Sequence, residues 1–395
     1  MRYLQVISSL DPANGGPADG VARLAEASLR QGHEVEIATL DKPGTHWGAS
    51  LPCPVQCLGP ALGTYGYSLR FYTWMQNNAA RFQAVIVNGL WQHLGYATRA
   101  ALSGSRIPYF VFSHGMLDPW FKRRYPLKHL KKLVYWTLAE QRVLRDASAV
   151  LFTCEEERLL ARQSFGTYQA KELICPYGTP GTDGDPATQR ETFLRAFPQL
   201  RGKRLLLFLG RIHPKKGCDL LIEAFARIAP HHPDLHLVFV GPDPTNWEGR
   251  LLDMARQHGV HAVTFAGMLR GDAKWGAFRA SEAFVLPSHQ ENFGIAVVEA
   301  LSCGVPVLIS DKVNIWREID SANAGLIADD TLEGASLLLA RWLKLDALAR
   351  QRMAQYGVRL FQSSFHIDSA ATRLVEVLAR HPTEQEVLRS LEAAR

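Results

Sequence analysis

Short apolar runs alternate with amphipathic stretches along this chain, and the alternation starts over after residue 190. Residues 3–8 read as a strand. Residues 11–20 hold three glycines and two prolines, 21–30 carry helical periodicity that stops at Gly32, and 35–39 read as the next strand. Strand, helix and strand linked this tightly predict a parallel sheet. Further strands are expected at 84–88, 109–113 and 149–153, the last followed by Glu155, Glu156 and Glu157, which suit a first helical turn. The run PYGTPGTDGDPAT then has linker composition. Beyond it the pattern returns, with strands at 204–210, 235–240, 263–266, 283–287 and 306–310 and a helix over 218–228. The expected fold class is α/β, with two doubly wound domains whose loops converge on a cleft. A mainly helical tail covers 361–395.

The 395 residues, 47% hydrophobic and 21% charged, supply enough apolar material for two cores and fit neither a disordered nor a collagen-like chain. A net charge of +6 favours an anionic partner without choosing among nucleic acid, lipid and polyanionic substrate. Of six cysteines only Cys53 and Cys57 are close, and their spacing is not a zinc or redox pattern, so reduced buried thiols are expected. The opening MRYLQVISSL is too short for a signal-peptide core. No run reaches the roughly 18 apolar residues of a membrane span, so the chain is expected to touch a membrane at most.

Three loops carry residue types suited to a phosphorylated ligand. RIHPKKG, at 211–217, lies between an apolar strand ending in Gly210 and a helix. Arg211 and Lys216 can meet phosphate charge there, and the helix start adds backbone donors. A solvated basic turn is the plain alternative; the Walker pattern GxxxxGK[ST] is absent. The second loop opens SHQENFGIAVVEALSCGVPVL, at 288–308. Glu291 before a helix and Glu299 within it could reach one ligand, because carboxylates accept charge-assisted hydrogen bonds from ribose and sugar hydroxyls. Gly294 permits close backbone approach. Two solvent-facing glutamates are the competing reading. The third loop, Asn14 to Gly16, follows the first strand and suits a diphosphate or an acceptor. GxGxxG is absent, which gives no support to a nicotinamide dinucleotide.

His114 closes the strand PYFVFS, where it can donate to a sugar hydroxyl or phosphate oxygen or move a proton; a structural histidine is an equal reading. Asp118, on the same loop, fits a turn or helix start better than a catalytic carboxylate. Between Trp120 and Trp136, the bases Lys122, Arg123, Arg124, Lys128, Lys131 and Lys132 interleave with aromatic and aliphatic residues. That pattern suits an anionic membrane face and, less well, a nucleic acid; a solvated helix face is the plain reading.

In this order, the segments resemble the family 4 retaining glycosyltransferases of the GT-B fold. ENFGIAVVE, from Glu291 to Glu299, is similar to the family's Glu–seven residues–Glu motif, and RIHPKKG to its phosphate-contacting loop. SHGMLDPW resembles the first-domain histidine loop of bacterial polysaccharide glycosyltransferases. NGGP, from Asn14, resembles the N-terminal glycine loop, and AEQRVLRDASAVLFTCEEE the segment closing the first domain. The resemblance spans nearly the whole chain. It implies two Rossmann-like domains facing across a cleft: an acceptor-side domain at 1–178, a nucleotide-sugar donor domain at 179–360, and terminal helices at 361–395 returning to the first domain.

By this resemblance Glu299 would hold the donor ribose hydroxyls, and Glu291 would contact the transferred sugar or help position its diphosphate. Arg211 and Lys216 would stabilise the leaving diphosphate. Asn292, Phe293 and Gly294 would line the donor, the last two through backbone groups. Gly241 would lie near the base, Gly16 near the diphosphate or acceptor, and His114 at the reacting centre. Two positions depart from the family: Phe365 stands about where a tryptophan is frequent, and Tyr177 replaces the Asn of Pro-Asn-Gly.

The implied reaction is a front-side transfer that retains anomeric configuration, with the leaving phosphate helping to accept the acceptor's proton. No acidic metal-binding triad stands out, so basic groups are expected to stabilise the leaving group without a metal or prosthetic group. The spaced glutamates are not the acid/base pair of a glycosidase. The expected donor is a UDP-sugar, UDP-glucose first, with GDP-mannose and mannosyl transfer next. The expected acceptor is a saccharide, lipid-linked, in surface polysaccharide assembly, with a soluble acceptor as the alternative. The expected location is cytoplasmic, peripheral at the inner face of the cytoplasmic membrane. A phosphorylase or sugar-phosphate synthase of the same fold is a further reading. A noncatalytic binding protein is another, against which the full set Arg211, Lys216, Glu291 and Glu299 weighs.

Overall fold

The computed structural model describes residues 1–11, 16–124 and 126–380. Asn14 and Gly15 of the glycine loop, and 381–395 of the tail, lie outside them. Two compact units emerge: Met1–Gly178 together with the segment from Ile367, and Thr179–His366.

The first unit is built on seven strands: β1 (Arg2–Ile7), β2 (Glu34–Thr39), β3 (Val55–Cys57), β4 (Ala84–Asn88), β5 (Tyr109–Phe112), β6 (Ala149–Phe152) and β7 (Glu172–Ile174). Their order is β3-β2-β1-β4-β5-β6-β7, parallel throughout. β4 reads AVIVN and is buried along its whole length. Branched side chains suit the pleat, and a strand buried on both faces requires helices above and below the sheet. Val85 and Val87 share a core cluster with Phe71 and Met75 of the helix Leu69–Asn78. Ser68 starts that helix by accepting the Phe71 N–H at 3.1 Å. Burial of each large apolar side chain stabilises by about 1.5–3 kcal/mol.

The second unit repeats the plan with β8 (Arg204–Leu209), β9 (Leu235–Val240), β10 (Val263–Phe265), β11 (Ser281–Leu286), β12 (Val307–Ser310) and β13 (Gly325–Ala328). The order is β10-β9-β8-β11-β12-β13, again parallel. In each sheet the chain lays three strands outward, then restarts on the other side of the first. The loops leaving β1 and β4, and those leaving β8 and β11, therefore flank a topological switch point, where α/β sheets bind ligands.

Three strands escaped the sequence reading, β3, β7 and β13, and all are sheet edges. β3 and β7 have three half-buried residues each, too few for an apolar run to show. The terminal helix Ile367–Ala379 returns to the first unit, as the resemblance implied, and packs on the helix Gly16–Arg30. Arg30 Nη2 meets Asp368 Oδ1 at 2.6 Å, and Gln31 Nε2 donates to the Asp368 carbonyl at 2.8 Å.

Candidate functional site

In the second unit the loops after β8 and β11 touch at the switch point. The His213 ring accepts the Lys215 N–H at 3.1 Å, starting the short turn Pro214–Lys216. Gly217 ends it at φ 66°, and a Cβ there would lie 2.1 Å from the Pro287 carbonyl oxygen. Only glycine lets the two loops lie together, and the His289 N–H then donates to the Lys215 carbonyl at 2.9 Å. Gly241 plays a similar part after β9, where a Cβ would lie 1.9 Å from the Gly210 carbonyl oxygen.

This closure puts Lys216 Nζ against the Glu291 carboxylate, both largely buried. Burial, with the Lys215 and Arg211 charges adding to it, pushes the Lys216 ammonium down to about 7. A carboxylate in contact, as Glu291 is, acts in the opposite direction by favouring the charged ammonium. The Glu291 backbone is pinned on both sides, its N–H donating to the Lys312 carbonyl at 2.9 Å and its carbonyl accepting from Asn314 N at 3.0 Å. Asn314 Nδ2 in turn reaches Asn292 Oδ1 at 3.3 Å. Arg211 is exposed.

Gly294, at φ 70°, opens the helix Ile295–Ser302, whose N-terminus carries no side-chain cap. Such a terminus presents backbone donors to an anion. The Phe293 side chain packs edge-on against Phe365, ring centroids 5.7 Å apart, so a ligand contact from Phe293 would fall to its backbone. Glu299 lies within the helix, 5% exposed. Its Oε1 is 2.6 Å from Lys274 Nζ on the helix Gly271–Ala280. A carboxylate this buried needs such a partner. Cations and backbone donors suited to a diphosphate thus stand beside two carboxylates suited to hydroxyls.

In the first unit His114 lies just past β5 with φ 47°, a backbone region that costs a non-glycine residue about 1–3 kcal/mol. Its Nε2 is 3.1 Å from Asn88 Oδ1. Asn88 Nδ2 donates to Gln5 Oε1 at 2.7 Å and to the Val6 carbonyl at 3.3 Å, which turns Oδ1 toward the histidine. This network assigns the proton to Nε2 and leaves Nδ1 as the acceptor nitrogen. The Phe112 ring stacks on the imidazole at 5.4 Å, and Tyr177 meets it edge-on at 5.3 Å. Burial pushes the ring down to about 4, so it is neutral near pH 7. Tyr177, the departure noted above, fits because Gly20 has no Cβ, which would lie 1.9 Å from Tyr177 Cε1. Gly16 opens its helix, and no other described part of the chain lies within 4 Å of where a Cβ would stand. Asp118 caps the next turn, its Oδ1 accepting the Trp120 N–H at 2.8 Å.

The basic segment divides in two. On the helix Pro126–Tyr135 and the π-turn Trp136–Glu140, Leu127 is 82%, Leu130 60%, Val134 58% and Leu138 67% exposed. Their spacing puts them on one face, and Lys122, Lys128 and Lys131 are exposed nearby. Lys132 is not part of that surface. It turns inward, its Nζ 4.5 Å over the Trp91 ring, and burial lowers its affinity for a proton. Trp91, at φ 69°, donates its N–H to Glu140 at 3.1 Å, and burial pushes that carboxyl up to about 7. No described helix is long and apolar enough to cross a membrane. Among the described residues no group of three or more His, Cys, Asp or Glu side chains is placed to hold a metal.

Sequence reading located the loops but missed Lys274, Asn88 and Glu140, and read Glu157 only as an acid of a first helical turn. Asn88 left a signal, a polar residue closing the apolar strand AVIVN. Lys274 left none, because its partner lies 25 residues away across a strand.

Two family descriptions match consecutive parts of the chain: "Glycosyl transferase 4-like domain" over residues 15–178 and "Glycosyl transferases group 1" over 189–359. A D-inositol 3-phosphate glycosyltransferase of Gordonia bronchialis is 32% identical over 200 residues, 48% of this chain and 43% of that protein. The chain spans about half the length of the curated relatives it matches. Among solved structures, HepE of Anabaena in complex with UDP-glucose is 16% identical with a TM-score of 0.71, covering 96% of this chain and 100% of that one. WaaG, a glycosyltransferase involved in lipopolysaccharide biosynthesis, is 19% identical with a TM-score of 0.65 and the same coverage. With both halves matched and the fold shared end to end, the chain belongs to the family 4 glycosyltransferases of the GT-B fold.

Proposed function

We propose that this chain transfers a hexose from a nucleotide-sugar to a saccharide acceptor with retention of anomeric configuration and without a metal ion. The observation that carries the reading is the contact of Lys216 with Glu291 at the β8–β11 switch point, beside the uncapped helix that holds Glu299. Lys216 and Arg211 take the diphosphate charge as the bond from the sugar carbon to the phosphate oxygen breaks. The acceptor oxygen bonds to that carbon on the same face, and its proton passes to the departing phosphate. Glu299 holds the ribose hydroxyls, and Glu291 the sugar or diphosphate. Asn292, Phe293 and Gly294 line the donor, Gly241 lies by the base and Gly16 serves the diphosphate or acceptor. His114, a neutral Nε2–H ring, serves a sugar hydroxyl.

UDP-glucose is the first donor, a reading supported by its presence in the HepE complex. A lipid-linked acceptor in surface polysaccharide assembly is supported by the apolar stripe from Leu127 to Leu138 with its flanking lysines, which suits an anionic bilayer surface. The first test is calorimetry of UDP and GDP with chelator present. Preference for UDP supports the donor, preference for GDP moves it to GDP-mannose, and failure to bind either refutes the site. The anomer of the product, read by NMR, tests retention.

A further inference from the structure

We propose that Glu157 is a positioning residue for His114, fixing the turn that presents the imidazole; this rests on the functional reading of His114 above. Glu157 is 3% exposed, on the helix Glu155–Ala161 after β6. Its carboxylate takes four hydrogen bonds. Oε1 accepts from Ser113 Oγ and from the Gly115 N–H, both at 2.6 Å, so it grips the residues on either side of His114. Oε2 accepts from the Thr153 N–H at 2.8 Å and from Thr153 Oγ1 at 2.6 Å, which anchors the carboxylate to the end of the neighbouring strand. Every contact is a donor aimed at an oxygen. The short distances are those of charge-assisted bonds, which satisfy a buried carboxylate that would otherwise be costly to desolvate.

The consequence for His114 follows from its backbone. At φ 47° the residue occupies a conformation that its own side chain disfavours. The surroundings must therefore hold it there, and the bond from the Gly115 N–H acts one peptide away. The Asn88 contact sets the ring's orientation, while Glu157 sets where the ring is carried. A glutamate at the start of a helix suits the helix dipole, but that role needs neither burial nor bonds to another strand's loop.

Glu157→Gln is the sharpest test, because the side-chain amide keeps the shape and presents N–H groups to two of the four donors. Turnover with UDP-glucose is expected to fall about 10- to 100-fold, as for a displaced reacting group, while the Kd for UDP changes less than twofold. In a His114→Ala background the same substitution should cost nothing further in turnover. Independent losses in the two backgrounds, or a loss of UDP affinity, would overturn the proposal. Ser113→Ala, which removes one bond and leaves the carboxylate paired, should act in the same direction with a smaller loss, and it serves if Glu157→Gln does not fold. Imidazole NMR gives a readout apart from activity. The His114 ring signals should shift in either variant, and unchanged signals would refute the positioning. If His114→Ala leaves transfer intact, the functional reading of the histidine fails, and the NMR result still decides whether Glu157 holds it.

Discussion

Lys216 is held in a state that a diphosphate should change. Burial and its basic neighbours bring its ammonium down to about 7, so above neutral pH much of the free protein lacks that charge. Bound diphosphate raises the value, and between the two values binding takes up a proton. Affinity for UDP should therefore decline as pH rises above about 7. Calorimetry at pH 8 in two buffers of different ionisation enthalpy should show uptake approaching one proton. Lys216→Met should abolish it; the same uptake in that variant would remove Lys216 from the phosphate site. Glu299 admits an equally specific test. Glu299→Gln should weaken UDP roughly 10- to 100-fold, the size of a lost charge-assisted hydrogen bond. It should weaken 2′,3′-dideoxy-UDP far less, because the hydroxyls that the carboxylate would serve are missing; equal losses would deny the ribose contact. At this scale the sequence can single out a residue where a motif spaces it, as it does Lys216 and Glu299. It was silent where partners meet through the fold. Lys274 reaches Glu299, and Asn88 reaches Gln5 across the β1–β4 pair, only once the strand order is known.

Among the elements, the long buried strands were legible because an unbroken apolar run has few other uses. Among the edge strands β10 was read from its sequence, whereas β3 and β7 were not, since half-buried triplets look like loop. The helix Pro126–Tyr135 was legible as amphipathic, but not in which face it turns outward. It uses Lys132 and Tyr135 inward, against Trp91 and Tyr65, and leaves its leucines outside. That inversion is what makes it a candidate membrane surface. Leu127→Glu with Leu130→Glu changes no buried packing, so melting should be unaltered. Sedimentation with phosphatidylglycerol vesicles should fall about tenfold or more, given ~1.5–3 kcal/mol for each leucine that leaves water. Lys128→Glu with Lys131→Glu should weaken the same binding in a salt-dependent way, at ~1 kcal/mol per charge. Binding untouched by both pairs would leave the stripe without a bilayer role.

Across the whole chain, the first unit is completed only after the second has been made. The helix Gly16–Arg30 packs against Ile367–Ala379, and the six buried positions of the latter include Leu374, fully shielded from water. These residues group with the first unit, and the second unit's sheet is formed by strands that all precede them. The two units should therefore respond separately to insults delivered in different places. Leu374→Ala opens a cavity in the first unit and should cost ~2–5 kcal/mol there. UDP at a hundredfold excess over its Kd adds ~2.7 kcal/mol to whatever unit binds it. In differential scanning calorimetry, UDP should raise one transition and Leu374→Ala should lower another, with UDP affinity in the variant unchanged at low temperature. If the substitution and the ligand act on a single shared transition, the units melt as one cooperative body, and the terminal helix stabilises the donor unit as much as the one it packs against. If UDP raises the transition that Leu374→Ala lowers while a second transition ignores both, the nucleotide belongs to the first unit, and the assignment of Lys216, Glu291 and Glu299 to the donor is lost.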